Sequence, residues 1–234
     1  MKSERIHWVD SLRGLAIVLM IAFHFAFDID FLEILPVNMD SGLWLVIGNF
    51  VRFTILSLVG VSLFLSRKKY TGSNYLKRQL IRAVKLFLIA MGISLATWLT
   101  FPDSYIRFGV LHLISIGIIA GALLVKNPRT LAVIMFLMLI LGSVFTNIQL
   151  NTSLLLPFGI TPHGFNTLDY FPLFPWLAIV FFGIVFAYIF DSYSLLANPK
   201  KFPRLRVLEK TGQKSLIIYL IHQPVLLGLI WLFA

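Results

Sequence analysis

Cysteine is absent from the 234 residues of this chain. Its absence excludes disulfides, thiolate zinc sites, iron–sulfur clusters and a cysteine nucleophile. Charged residues are scarce at 13%, about half the share found in an average soluble domain. The acidic ones are the scarcer, since 10 Asp and Glu stand against 20 Lys and Arg. The chain also lacks a Walker loop, a dinucleotide fingerprint and a Gly-x-Ser-x-Gly elbow.

Apolar residues dominate the composition. They account for 59% of the chain, and mean hydropathy is +0.89. Apolar runs of helical length recur from end to end, which predicts a polytopic, all-α membrane bundle and excludes a secreted domain, a soluble enzyme and a disordered regulator. We expect one domain over 1–234, without internal repeats. Seven spans are predicted, at about 11–29, 43–65, 83–101, 108–125, 130–147, 171–190 and 214–233.

The basic residues predict the topology. If the spans alternate, all Lys and Arg except Arg52 and Arg107 fall on one side, which indicates a cytoplasmic N-terminus and an extracytoplasmic C-terminus. The net charge of +10 therefore indicates contact with anionic lipid or a polyanionic ligand, and not with nucleic acid. The predicted location is a cytoplasmic membrane.

The first span carries a polar stripe. Arg13 and His24 are eleven residues apart, which places them within about 20° of one helix face and about 16 Å apart along the axis. Asp10 and Asp28 share that face, at three and four residues from their neighbours. Because such a stripe is costly in lipid, it must face a bundle interior or a cavity. We interpret His24 as a general base that Asp28 orients; the alternative is a structural hydrogen-bond network between helices.

Further polar groups lie within or beside the other spans. Arg52 needs a partner at its depth, such as Asp28, and is either a site residue or a salt bridge alone. His222 precedes a proline in LIHQPVLLG and is either catalytic or a residue that stabilises a kink. The stretch DYFPLFPW, with Asp169 and Trp176, is interpreted as an acceptor-site wall or as an aromatic belt. Since no two of His24, His112 and His222 have a ligand spacing on one helix, no metal site is expected.

Five segments together resemble the bacterial family related to heparan-α-glucosaminide N-acetyltransferase, within the transmembrane acyltransferase superfamily. The similarity spans nearly the full chain, and Arg13 followed after ten residues by His24 also resembles the arginine–histidine signature of the acyltransferase-three family. The segments are RIHWVDSLRGLAIVLMIAFHFAFDI, RFTILSLVGVSLFLSR, FGVLHLISIG, DYFPLFPWLAIVFFGI and LEKTGQKSLIIYLIHQPVLLG.

The resemblance implies transfer of an acyl group, typically acetyl, from cytosolic acetyl-CoA to a hydroxyl or amino group of a sugar or glycan across the inner membrane of a bacterium. Catalytic roles are then expected for His24, Asp28, Arg52, His112 and His222. Acceptor binding falls to Asp169, Trp176 and Arg107, with Arg52, Arg107 or His112 at the oxyanion. Donor binding is expected from the cations Arg13, Arg67, Lys68, Arg78 and Arg82, together with Asp10, the acidic neighbour of Arg13.

Two other functions stay open. A transporter or flippase would use His24, Asp28 and Arg52 as a proton or substrate relay, although seven spans without inverted repeats are unusual for one. A non-catalytic subunit of envelope assembly is the third alternative. The clusters of Arg and Lys at 67–85 and 200–214 would serve equally well to fix the topology and to bind lipid. Sequence leaves open the acceptor, the acyl chain length, an acyl-histidine intermediate and assembly as a homo-oligomer.

Overall fold

A computed structural model describes residues 6–196 and 205–233. No strand lies in these two ranges, where regular structure is helical apart from the isolated bridges Phe108–Tyr170 and Gln149–Thr161. Their helices are α1 (His7–Phe31), α2 (Gly42–Lys69), α3 (Gly72–Thr100), α4 (Val110–Leu124), α5 (Pro128–Phe145), a 3₁₀ turn (Leu156–Phe158), α6 (Leu173–Ser192), α7 (Arg206–Gln213) and α8 (Ser215–Phe233).

The predicted polytopic membrane bundle is confirmed. Each of the seven predicted spans coincides with a helix, and six of these helices are long and apolar enough to cross a membrane. The exception is α4, whose 15 residues span about 23 Å, less than the hydrocarbon core of about 30 Å. Helix α3 begins eleven residues before its predicted span (72 against 83), because the basic residues of its first turns form helix well but lower the hydropathy of the window.

The chain divides into two compact units. The first comprises Met1–Ile55 and Ser194–Ala234, and the second comprises Leu56–Tyr193, so the boundary falls within α2. Five of the basic residues on which the topology prediction rests lie outside the described residues, namely Lys2, Arg5, Lys200, Lys201 and Arg204.

In the first unit, α1 packs against α7, α8 and the first half of α2. Ile17 and Met20 of α1 pack with Val51 of α2 in its apolar core. Two glycines allow α1 and α7 to approach closely. A Cβ atom at Gly14 would overlap the carbonyl oxygen of Leu208, and one at Gly212 would overlap the carbonyl oxygen of Asp10. Small residues at a helix interface permit this backbone-to-backbone contact.

The second unit contains the rest of α2 and α3 to α6. Helices α2 and α6 also meet through glycines, since a Cβ atom at Gly60 would overlap the carbonyl oxygen of Val180, and one at Gly183 that of Ser57. The long connection before α6 is tied down by hydrogen bonds. Tyr170 donates its hydroxyl to the carbonyl of Leu156 at 2.7 Å, and burial raises the pKa of Tyr170 to about 12.

Candidate active site

Two histidines of the first unit face each other. The rings of His24 on α1 and His222 on α8 lie with centroids 4.8 Å apart and nearly perpendicular. Sequence spacing places these residues on separate spans and cannot predict their contact. Both residues were expected to be catalytic, and the structure brings them together.

The same backbone interaction orients each ring. His24 Nδ1 lies 2.9 Å from the carbonyl oxygen of Met20, and His222 Nδ1 lies 2.6 Å from that of Tyr219. A carbonyl oxygen only accepts hydrogen bonds, so in each neutral ring Nδ1 carries the proton and Nε2 keeps its lone pair. His222 Nε2 is buried and has no hydrogen-bond partner. Each ring can therefore act as a base through Nε2.

Asp28 lies beside this pair but bonds to another residue. Its Oδ1 accepts a hydrogen bond from Gln223 Nε2 at 2.6 Å, while Oδ2 is buried without a partner. The carboxylate thus pairs with α8, whereas the sequence favoured direct orientation of His24 on α1. The sequence did not indicate Gln223 as a site residue. The signal that could have identified it is its polar side chain next to His222 within an apolar span.

Arg52 belongs to the same unit. Its guanidinium lies 5.8 Å from the ring centroid of Phe23, and the Phe23 ring is 5.9 Å from the His24 ring. Nη1 of Arg52 donates to Asn49 Oδ1 at 3.4 Å, so Arg52 bonds to a side-chain amide, whereas the sequence suggested Asp28 as its partner. A half-buried cation thus packs on the aromatic ring that also contacts the predicted base.

The other end of α1 carries the predicted charge pair. Arg13 Nη1 bonds to Asp10 Oδ1 at 2.9 Å, as the three-residue spacing predicts. One turn earlier, His7 Nδ1 lies 2.9 Å from Glu209 Oε1 of α7. The short helix α7, which hydropathy did not predict, therefore packs on the polar end of α1.

In the second unit, His112 and Asp169 hold the start of α4. The backbone N–H of Gly109 donates to His112 Nδ1 at 3.2 Å, and that of Val110 donates to Asp169 Oδ2 at 2.9 Å. Because Nδ1 of His112 accepts, its neutral ring carries the proton on Nε2. His112 thus has the opposite tautomer to His24 and is suited to donate a hydrogen bond.

Two further predicted residues of this unit pack among aromatic rings. Arg107 lies 4.9 Å from the ring centroid of Tyr105 and 5.3 Å from that of Phe165, and its Nε atom is buried without a hydrogen-bond partner. Trp176 packs on Phe171 at 4.8 Å. Both contacts fit an aromatic wall as well as an acceptor site.

The predicted donor-binding cations of the second unit lie around the α2–α3 connection. Lys68 bonds to Asp191 at 2.7 Å, and Arg67 donates to the carbonyl oxygen of Tyr70 at 3.1 Å. Arg78 stacks on the Tyr70 ring at 4.1 Å, with Arg82 one turn further along α3. An open cleft of about 440 Å³ is lined by Phe64, Arg67, Lys68, Thr71, Lys126, Tyr188 and Asp191.

Within residues 6–196 and 205–233, no three His, Asp or Glu side chains are grouped so as to hold a metal ion. Comparison with curated proteins and with solved structures gives no match. A family model, described as heparan-alpha-glucosaminide N-acetyltransferase, catalytic, matches residues 5–224, which confirms the resemblance to the heparan-α-glucosaminide N-acetyltransferase family. The chain therefore belongs to this family of membrane acetyltransferases.

Proposed function

We propose that the whole chain, 1–234, acts as one acyltransferase domain that moves an acetyl group from acetyl-CoA to a hydroxyl or amino group of an extracytoplasmic sugar or glycan. The observation that carries the proposal is the His24–His222 pair, with ring centroids 4.8 Å apart and both Nδ1 atoms bonded to carbonyl oxygens. In a member of an acetyltransferase family, an oriented imidazole with its Nε2 lone pair available is the group that activates a hydroxyl or amine.

The reaction needs one proton to move twice. His24 Nε2 takes the proton from the acceptor hydroxyl or amine as its oxygen or nitrogen attacks the thioester carbonyl carbon. The carbon–sulfur bond then breaks, and the leaving thiolate of coenzyme A receives that proton from the imidazolium. The tetrahedral intermediate carries an oxyanion, which a nearby cation stabilises. In the first unit Arg52, packed on Phe23, is the proposed cation; Arg107 and His112 are the candidates from the second unit.

The donor side of the proposal concerns charge. Coenzyme A carries several phosphate charges, which Arg and Lys side chains bind. We assign this role to Arg13 in the first unit and, in the second, to the cleft with Arg67 and Lys68 and to the neighbouring Arg78 and Arg82. These residues belong to the side predicted to be cytoplasmic, so the donor would bind from the cytosol with the N-terminus on the same side of the inner membrane.

Coenzyme A release by purified protein in lipid nanodiscs tests the proposal. Wild type is compared with His24→Ala and with the control His163→Ala, which changes an exposed loop histidine of the second unit. We expect His24→Ala to lose at least about a hundredfold in kcat, with acetyl-CoA binding retained, and His163→Ala to match wild type. A wild type that neither binds nor cleaves acetyl-CoA contradicts the proposal and favours the transporter.

A further inference from the structure

Four buried side-chain atoms in the described part of the first unit have no hydrogen-bond partner. Ser11 Oγ lies near the start of α1, and the other three are acceptors grouped near His24: Asp28 Oδ2, His222 Nε2 and Gln223 Oε1. Asp28 is 1% exposed and His222 is 8% exposed. A buried polar atom without a partner is costly, and three such acceptors close together are satisfied at once by one group that carries several donors.

The hydrogen bonds already made explain why acceptors are left over. Gln223 uses Nε2 to donate to Asp28 Oδ1 at 2.6 Å, which fixes the amide with Oε1 as the atom left without a partner. His222 uses Nδ1 to donate to the Tyr219 carbonyl, which leaves Nε2 as a lone pair. Neither ring nor amide can be turned without losing a short hydrogen bond. The unpaired atoms therefore favour a group that donates.

The three residues lie next to the predicted base. Asp28 follows His24 by one helical turn on α1, and His222 and Gln223 are consecutive on α8. The Gln223–Asp28 bond and the His24–His222 ring contact join the same two helices. A group bound by the free acceptors is thus held beside His24.

We propose that Asp28, His222 and Gln223 form a subsite for the nucleophilic end of the acceptor, specific for an amino group or neighbouring hydroxyls that supply two or more hydrogen-bond donors. Gln223 is the positioning residue, because its amide fixes the Asp28 carboxylate. This inference rests on the proposed function and adds a selectivity to it. Acetylation of an amine removes donors and the positive charge, so the subsite binds the substrate more tightly than the acetylated product.

Ligand-dependent thermal stability of the full chain in nanodiscs measures this selectivity without turnover. The probes are glucosamine, which carries a free amine and hydroxyls, and N-acetylglucosamine, whose amine is blocked. Wild type should bind glucosamine about tenfold or more tightly than N-acetylglucosamine, the factor expected for a hydrogen bond to a charged group. Similar binding of both sugars, or no response to glucosamine, overturns the subsite.

Two variants and a matched control link the selectivity to the residues. Asp28→Asn keeps an oxygen for Gln223 and replaces the free oxygen by a donor, and Gln223→Met removes the amide at similar volume. Each should lower the affinity for glucosamine about tenfold or more and bring the ratio of the two affinities close to one. The control is Gln79→Met in the second unit, where Gln79 is also buried, donates to Ser66 and has an unpaired Oε1.

The control should keep the wild-type ratio even if the protein is less stable, so a loss of ratio in Gln79→Met would show a merely structural effect. Failure of the subsite and failure of the proposed function give different results. If acetyl-CoA stabilises the protein and is cleaved while Asp28→Asn keeps the wild-type ratio, the subsite is wrong and acetyl transfer stands. If acetyl-CoA neither binds nor reacts, the proposed function is wrong regardless of the affinities for glucosamine and N-acetylglucosamine.

Discussion

The contact between α1 and α7 predicts that a single methyl group destabilises the first unit. In Gly14→Ala the new Cβ would lie 2.7 Å from the carbonyl carbon and 3.0 Å from the Cα of Leu208, in addition to overlapping its oxygen. Carbon atoms pack at about 3.5 to 4.0 Å, so the two helices must separate by roughly 1 Å. Both neighbours are backbone atoms and no rotamer change relieves the overlap. We expect a loss of about 3 kcal/mol in the free energy of unfolding.

Gly228→Ala on α8 is the matched control. A Cβ atom there meets nothing within 4 Å, so the variant gains helix propensity worth up to about 1 kcal/mol. Unfolding in mixed micelles, followed by tryptophan fluorescence, gives both free energies. We expect the free energy of unfolding to fall in Gly14→Ala and to rise in Gly228→Ala. A Gly14→Ala protein as stable as wild type, or equal losses in both variants, would refute the packing of α7 on α1.

Three further predictions concern the second unit. Asp169→Ala removes the acceptor for the Val110 amide at the start of α4 and should lower the free energy of unfolding by about 1 kcal/mol. Asp169→Asn should recover most of this loss in thermal unfolding, and equal losses in both variants would contradict the cap. Burial raises the pKa of Tyr170 to about 12 from 10.0, so its neutral phenol stabilises the folded state fully below pH 10, and this stabilisation is lost as the pH rises to 12. The free energy of unfolding of Tyr170→Phe should therefore fall less than that of wild type in denaturation measured between pH 10 and 12. Lys68→Ala breaks an exposed ion pair and should change stability by less than about 1 kcal/mol while weakening coenzyme A in a binding titration; unchanged affinity would remove Lys68 from the donor site.

Hydropathy and charge predicted the bundle because burial in lipid imposes long apolar runs on the sequence. The same rule missed the basic start of α3, where helix continues into charged residues, and it missed α7, which is short and polar. The length of α4 shows the opposite limit, since an apolar window of 18 residues over 108–125 covers a helix of only 15.

Helical geometry predicted the contacts within α1 and could not predict those between helices. Asp10 and Arg13 pair as their spacing requires. The partner of Asp28, by contrast, depends on how α8 is placed against α1, and periodicity within one helix contains no information on that placement. Asp28 therefore bonds to Gln223, although spacing favoured His24 as its partner. The contact of His24 with His222 likewise joins residues 198 positions apart in the sequence (222 − 24).

Acetyl transfer in proteoliposomes tests the central claim most directly. Glucosamine is enclosed in the vesicles, radiolabelled acetyl-CoA is added outside, and labelled N-acetylglucosamine is measured in the lumen for wild type and for His24→Ala. The account predicts labelled product inside vesicles with wild type and at least a hundredfold less with His24→Ala, about the factor expected for loss of a general base. Equal labelling with both proteins, or none with a wild type that binds acetyl-CoA and glucosamine, would contradict acyl transfer by His24.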